Sequence, residues 1–379
     1  MQKQLSQLTS VIKHEIIENS NEFDPIISDI CFDSRAVTSG SLFFALPGTH
    51  VHGNTFICQA IKKGAAAIIF QDELPQEALK AADEQEKESK NKPVFVKVES
   101  TRFAMSPVSS AFYDNPSSKL AVIGVTGTEG KSSTVSFIWQ LLRLCGKKAG
   151  FISTVQYSLG EDAIANPEHQ TTPEAPIVQK QLYQMVQNNC EYAVVESSSH
   201  GLSERTNRLG DVLFDAGLWM NVTHEHLEFH GTVEQYRNDK ANLFRNLDKH
   251  NHTKNISGQT TTIPSFGVIN LEDPSAEYFA DATKQIVYGF TTGGTAGHTK
   301  NPDQKIPSKV IKYEAANLSA TAQGISFVVN SCEKNIPVTA NLPGAFNAYN
   351  VLASIIAVSK IHTDNQRLLW NNFNYIDIS

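Results

Sequence analysis

The sequence predicts an α/β protein: a small N-terminal α/β domain, then a central domain whose mostly parallel sheet is flanked by helices. Three observations carry this expectation. From residue 119 onward, short apolar runs alternate with helical stretches, the rhythm of strands covered on both faces by helices. A glycine-rich loop, Gly124-Val-Thr-Gly-Thr-Glu-Gly-Lys-Ser132, joins one such run to a helix. The 379 residues, 40 % hydrophobic and 19 % charged, have the size and composition of two or three globular domains.

In chain order, Phe43 to Leu46 reads as a strand, Phe56 to Lys62 as a helix, and Ala65 to Phe70 and Val94 to Val98 as strands. The charged stretch Leu74 to Lys92 reads as a solvated helix and loop. The Pro- and Ser-rich stretch Ser106 to Ser118 is expected to end the first domain, set at residues 1–112. The central domain, 113–360, continues with strands at Ala121 to Val125, Phe151 to Val155 and Tyr192 to Val195, and helices at Lys131 to Leu144 and Pro176 to Asn188. Apolar runs at Phe214 to Val222, Phe266 to Asn270 and Gln285 to Phe290 extend the series. Asn251 to Pro264 and Thr291 to Ser308 read as surface loops, and residues 361–379 as a tail.

Composition excludes several function classes. A net charge of −7 argues against a broad nucleic-acid or membrane-binding face. No apolar run is long enough to span a bilayer, and the polar start MQKQLSQLTSVIKHE is no secretory signal, so a cytoplasmic location is expected. The sequons at Asn221 and Asn255 then carry no meaning. Cys31, Cys58, Cys145, Cys190 and Cys332 lack metal spacing and read as reduced, mostly buried thiols.

Three segments bear chemistry. The glycine-rich loop opens a helix, so its backbone N–H groups and the helix N-terminus suit phosphate, with Lys131 reaching the terminal phosphates and Ser132 a magnesium ion. It is a variant motif, because strict spacing would put the first glycine at Val125; the bland alternative is a glycine turn with a surface lysine. In Val194-Val-Glu-Ser-Ser-Ser-His200 an acidic residue ends a buried strand, where it could hold Mg²⁺ or simply cap the strand. The loop Asn221-Val-Thr-His-Glu-His-Leu-Glu-Phe-His-Gly231 carries three histidines and two glutamates, more than a solvated turn needs, without the spacing of a zinc protease. Thr171-Thr172-Pro173 ends a further loop on this edge and reads equally as a helix cap.

GTEGKS, this TTP, ESSSHGL, THEHLEFHG, YRNDKANLF (Tyr236 to Phe244) and LPGAFNAYN (Leu342 to Asn350) occur in the order of the Mur ligases, and Asp33 to Gly48 with His52-Gly53 resembles that family's uridine-binding domain. Within the family the likeness is to members that attach the third residue of the peptidoglycan stem peptide. The resemblance implies an ATP-dependent ligase that joins lysine or diaminopimelate to UDP-N-acetylmuramoyl-L-Ala-D-Glu through an acyl phosphate. Gly127, Thr128, Glu129, Gly130, Lys131 and Ser132 would hold ATP, with Asn347 and Asn350 near the nucleotide. Ser132 and Glu196 would bind one magnesium ion, His226 a second, and Lys240 would be carbamylated by CO2 to become an anionic ligand. Lys131, Glu196, His226 and Lys240 form the implied catalytic set. Ser34 would contact the uracil end of the substrate, and Thr171, Thr172 and Ser198 the muramoyl peptide.

Some positions depart from the family pattern: Glu129 for Asn or Lys, Glu225 for Asp, His52 for Asp, and Glu204 and Thr206 for Gln and Arg, with Arg205 and Arg208 as neighbouring replacements. The family continues into a third, Rossmann-like domain of which the tail gives no sign, so a competing expectation is a catalytically incompetent UDP-sugar- and ATP-binding fragment. A folylpolyglutamate synthetase is disfavoured by the Asp-Ser-Arg segment, and a regulatory GTPase by the lack of an Asn-Lys-x-Asp segment.

Overall fold

Continuous apolar runs become strands buried on both faces, as in Ser41–Phe44 and Ala121–Thr126, where every residue is buried. The computed structural model describes residues 1–17, 24–48, 52–89, 92–167, 170–223, 227–296, 309–331, 335–362 and 377–378. These fall into two units. The first comprises Met1–Asn115 with Glu174–Lys180 and Arg205–Asp211, and the second the remainder.

In the first unit, β1 (Glu15–Ile17), β2 (Asp29–Cys31), β3 (Ser41–Phe44), β4 (Ala67–Phe70) and β5 (Val94–Lys97) form a sheet in the order β1-β5-β4-β3-β2. The sheet is parallel except where β1 joins β5. Helices α1 (Ile57–Lys62) and α2 (Gln76–Ser89) seal one face, with Ile57, Ile61, Ala78 and Ala82 packing on Phe43, Ile68 and Phe95.

The stretch Ser106 to Ser118, expected to end the first domain, begins inside helix α3 (Thr101–Phe112), and the first unit's leading segment ends beyond that helix at Asn115. Ser100 caps that helix, its Oγ accepting from Phe103 N, and Met105, Val108 and Phe112 are buried. Pro107 cannot donate to the Phe103 carbonyl four residues back. Asn207 Nδ2 donates to that oxygen instead, at 3.4 Å, so a distant side chain serves the carbonyl that the proline cannot.

The second unit is built on β6 (Ala121–Thr126), β7 (Ala149–Ile152), β8 (Tyr192–Glu196), β9 (Ala216–Trp219), β12 (Phe266–Asn270) and β13 (Ile286–Thr291), ordered β7-β8-β6-β9-β12-β13 and all parallel. Between β9 and β12 the chain forms the antiparallel hairpin of β10 (Thr253–Ile256) and β11 (Gln259–Thr262). This corrects the loop expected at Asn251 to Pro264. Ser257 and Gly258 have φ of 51° and 82°, the geometry of a two-residue hairpin turn, but the strands are too polar to announce themselves.

Beyond β13 the sheet changes character. β14 (Val310–Ala320) continues it in parallel, whereas β15 (Ile325–Asn330) and β16 (Asn335–Ala340) add as antiparallel strands that the sequence reading lacked. Helix α4 (Lys131–Leu144) follows β6, and α7 (Asn347–Ile361), buried along its whole length, packs beside it within one apolar core. The loop expected from Thr291 begins as the last residue of β13, and residues 297–308 lie outside the described residues.

No helix among the described residues is long and apolar enough to cross a membrane. The four described cysteines are unbridged, and burial pushes the Cys31, Cys145 and Cys190 thiols up to about 11. They are therefore protonated at neutral pH and poor nucleophiles. Cys332 lies outside the described residues.

Candidate active site at the carboxyl edge of the central sheet

Because β6, β7, β8 and β9 are parallel neighbours, the loops leaving their carboxyl ends share one edge, the usual place for a ligand in such a sheet. The loop after β6 needs its glycines. A Cβ on Gly130 (φ 80°) would sit 2.4 Å from Asn350 Oδ1, and one on Gly127 would sit 2.9 Å from Met220 Cβ. Gly130 is the N-cap of α4 and offers no side-chain cap, so the positive end of a 14-residue helix is left for an anion.

The loop is clasped by Asn221, whose Oδ1 accepts from Thr128 N at 3.0 Å and Glu129 N at 2.9 Å. Lys131 Nζ donates to Thr128 O at 2.6 Å, inside the loop. Glu129 is exposed, so its carboxylate need not lie against a phosphate. Asn347 and Asn350, at the start of α7, are both buried, and Asn350 Nδ2 donates to Asn347 Oδ1 at 3.3 Å.

Glu196, at the end of β8, is 1 % exposed. Its Oε1 accepts from Ser132 Oγ at 3.0 Å and Thr154 Oγ1 at 3.1 Å; its Oε2 accepts from Thr154 N at 3.0 Å and from Ser153 Oγ. Hydroxyl and carboxylate oxygens converging on a buried point are the donor set of a hard cation such as Mg²⁺. The residues present therefore fit the expected metal.

Helix α6 (Val233–Asn246) approaches the same loop. Residues 236, 239 and 240 lie on one face of it. Lys240, 1 % exposed, donates through Nζ to Gly127 O at 2.7 Å and stands 4.3 Å from the Tyr236 ring centre; Tyr236 OH pairs with Thr128 Oγ1 at 3.2 Å. Ser132, Glu196 and Lys240 are thus brought to one loop. His226, expected at a second metal, lies outside the described residues, as do His224 and Glu225.

Thr172 Oγ1 donates to Glu196 O at 2.9 Å and accepts from Ser198 N at 2.9 Å, and the Thr171 and Thr154 hydroxyls pair at 3.0 Å. The TTP turn and Ser198 are therefore tied to the Glu196 strand end. Ser198 also caps the short helix α5 (Ser199–Leu202), its Oγ accepting from Gly201 N. In the first unit, Ser34 is 6 % exposed and donates to Gln59 Oε1 at 2.8 Å. His52 takes over a capping role there: its Nδ1 accepts from Asn54 N at 3.2 Å, as a carboxylate would. Glu204 and Arg205 are exposed, whereas Arg208 Nη2 donates to Glu174 Oε1 at 2.9 Å.

Sequence reading missed Ser153, Thr154 and Glu272. All three follow the carboxyl ends of parallel strands, a position that would have flagged them. Burial alone would raise the Glu272 carboxyl, but hydrogen bonds from Tyr349 OH, Thr291 Oγ1 and Thr292 outweigh it and hold the group below its usual 4.5. Its contribution is therefore full above pH 4.5 and is lost as pH falls through the lowered folded value. Glu272→Gln is expected to cost about 2–3 kcal/mol at neutral pH, because the amide turns an NH2 group toward donors. Urea denaturation from pH 7 to pH 3 checks this: the gap to wild type should shrink in acid, and a pH-independent gap would refute the assignment.

A separate cluster, Asp215, His250 and His252, gathers potential metal-ligand atoms within 4.8 Å. Each is already engaged. His252 bonds Asp215 Oδ1 through Nδ1 and Leu247 O through Nε2, while His250 bonds Phe214 O through Nε2 and accepts from His252 N. The cluster is a polar pin.

Residues 125–358 match the Mur ligase middle domain, and residues 26–113 match the catalytic domain of the Mur ligase family. The chain belongs to the Mur ligase family. It is 47 % identical over 363 residues to UDP-N-acetylmuramyl-tripeptide synthetase of Treponema denticola, covering 92 % of this chain and 63 % of that protein. With the protein of the same name from Treponema pallidum it shares 47 % identity over 341 residues, covering 88 % of this chain and 60 % of the relative. Among solved structures, UDP-N-acetylmuramoyl-L-alanyl-D-glutamate--2,6-diaminopimelate ligase matches with a TM-score of 0.70 at 22 % identity, over 99 % of this chain and 66 % of that one. The expected Mur ligase fold is thereby borne out. The chain spans about 60–63 % of the length of these two Treponema relatives. The Mur ligase middle-domain match runs from Val125 in β6 to Val358 in α7, so it includes the glycine-rich loop, Glu196, Lys240 and the helix that backs the loop.

Proposed function

We propose that this chain forms the nucleotide-binding part of an ATP-dependent ligase that adds the third residue, lysine or diaminopimelate, to UDP-N-acetylmuramoyl-L-Ala-D-Glu in the bacterial cytoplasm. The observation that carries the reading is the convergence of Ser132, Glu196 and Lys240 on the loop Gly127–Ser132. The likeness to Treponema tripeptide synthetases supports the substrate.

In this reading the first-turn amides of α4 and the Lys131 ammonium bind the ATP phosphates. A carboxylate oxygen of the substrate attacks the γ-phosphorus, the bond to ADP breaks, and an acyl phosphate forms. The amine of the incoming amino acid then attacks the acyl carbon, releasing phosphate and one proton. Activation is needed because an unmodified carboxylate oxygen is a poor leaving group. Ser132 and Glu196 would hold one magnesium ion and His226 a second, and the ions would neutralise charge on the transferring phosphoryl group. Thr171, Thr172 and Ser198 orient the muramoyl peptide, Ser34 the uracil end, and Asn347 and Asn350 the nucleotide. Lys240, buried beside the loop, reacts through its neutral amine with CO2, losing a proton and gaining a carboxylate.

A second reading is binding without joining. One experiment separates the two. Calorimetry with Mg·ATP is expected to show saturable binding, and mass spectrometry after mixing with the dipeptide nucleotide, ATP and either amino acid is expected to show the tripeptide nucleotide and ADP. Binding without product favours the second reading; absence of nucleotide binding overturns both.

A further inference from the structure

Ser199, His230 and Asp239 form a hydrogen-bonded chain that the reading above leaves unused. Asp239 Oδ2 lies 2.7 Å from His230 Nδ1, and His230 Nε2 lies 3.0 Å from Ser199 Oγ. The three residues are 3 %, 3 % and 2 % exposed for Asp239, His230 and Ser199. A carboxylate can only accept, so His230 Nδ1 carries a proton and donates to Asp239, while Nε2 pairs with the Ser199 hydroxyl. Gln235 Nε2 donates to the other Asp239 oxygen at 2.9 Å, and the Tyr236 ring packs 5.0 Å from the imidazole, so the ring is held from several sides.

The placement of this chain gives it a task. Asp239 adjoins Lys240 on α6, and Ser199 follows Glu196 by three residues in the turn that leaves β8. The same face of α6 bonds the phosphate loop through Tyr236 and Lys240. We propose that His230 is a positioning residue: through Ser199 and Asp239 it fixes the spacing between the Glu196 turn and α6, and so presets the metal-binding oxygens against the phosphate loop. This rests on the proposed reading of the site as one that takes Mg·ATP. The arrangement resembles a hydrolase triad in its atoms, but Ser199 Oγ is buried where a nucleophile needs access.

Outer partners that orient metal ligands typically contribute about 10- to 100-fold to metal affinity. Ser199→Ala, His230→Gln and Asp239→Asn are therefore expected to weaken the Mg²⁺ enhancement of ATP binding about tenfold, while ATP affinity in EDTA stays within about twofold of wild type. A general loss of packing would lower both affinities together. Ser199→Ala removes a single hydroxyl and reports even where Asp239→Asn does not fold. The Ser199→Ala/Asp239→Asn double variant should lose little more than either single change, because the chain acts as a unit.

The inference is overturned if all three variants keep the wild-type Mg²⁺ enhancement, if the EDTA affinity falls in proportion, or if a fluorophosphonate labels Ser199 in the wild-type protein, which would make it a nucleophile. Wild-type protein that binds no ATP overturns the proposed function and this inference with it. Wild-type binding with variants that keep the full Mg²⁺ enhancement overturns the inference alone.

Discussion

Asp215→Asn is expected to lower the stability of the second unit by about 3–5 kcal/mol, the usual cost of stripping one partner from a buried ion pair. Asp215 and Lys254 have fully buried side chains, with Lys254 Nζ 3.1 Å from Asp215 Oδ2. The ammonium also donates to Ser117 O at 2.8 Å and Leu213 O at 2.7 Å, while Asp215 accepts from Val122 N at 2.9 Å and pairs with His252. The network ties the β10–β11 hairpin to the start of β6. In the variant, Lys254 keeps its carbonyl partners and loses its counter-charge.

Burial already lowers the Lys254 value from 10.5, and Asp215 opposes that shift. Between the lowered folded value and 10.5 the unfolded chain binds more protons, so this group's destabilisation fades as pH rises through the window. Removing Asp215 lowers the folded value further and widens the window. Urea titrations at pH 7 and pH 10 should therefore show the variant's deficit shrinking at the higher pH. Asp215→Asn/Lys254→Met should recover part of the loss. A deficit below about 1 kcal/mol at pH 7 would mean that the pair is not the pin described.

Lys131→Ala is expected to weaken ATP binding by about 2–3 kcal/mol, or roughly 30- to 150-fold, the scale of a hydrogen bond to a charged group. Lys131 Nζ rests on Thr128 O, within the curve of the loop, so phosphate oxygens seated on the first-turn amides come within its reach. Most of the loss should appear in the nucleoside triphosphate and little in the nucleoside, and wild-type affinity should fall with added salt more steeply than that of the variant. Glu129→Ala, at an exposed side chain, should leave affinity near wild type. Fluorescent-nucleotide titration decides the matter; equal affinities for Lys131→Ala and wild type would remove the lysine from the phosphate site.

Much of this architecture was legible because its causes are local. Ala121 to Val125 and Tyr192 to Val195 are unbroken apolar runs, and a strand buried on both faces requires that. Gly127 to Ser132 announces itself because glycines and a lysine at a strand–helix junction are chemistry confined to a few neighbours. What was illegible depends on partners far apart in the chain. Ser153 and Thr154 matter only because β7 lies beside β8, and the Asn221 side chain clasps a loop more than ninety residues before it. Pro107 reads as a helix breaker, and only the fold shows Asn207 Nδ2 donating to the Phe103 carbonyl that the proline cannot serve. The polar hairpin at 253–262 lacks the alternation that burial of one face would impose.

The close approach of Asn350 to Gly130 has a consequence for biosynthesis. Thr134 Oγ1 and Thr134 O also meet Asn350 Oδ1 and Ser354 Oγ, across separations of 216 and 220 residues. During translation the nascent phosphate loop emerges long before the helix that backs it. Competence to capture a nucleotide should therefore arrive late, once residues near 360 have cleared the ribosome, and ribosome-stalled chains ending before Asn347 should fail to hold ATP however well their early strands have formed.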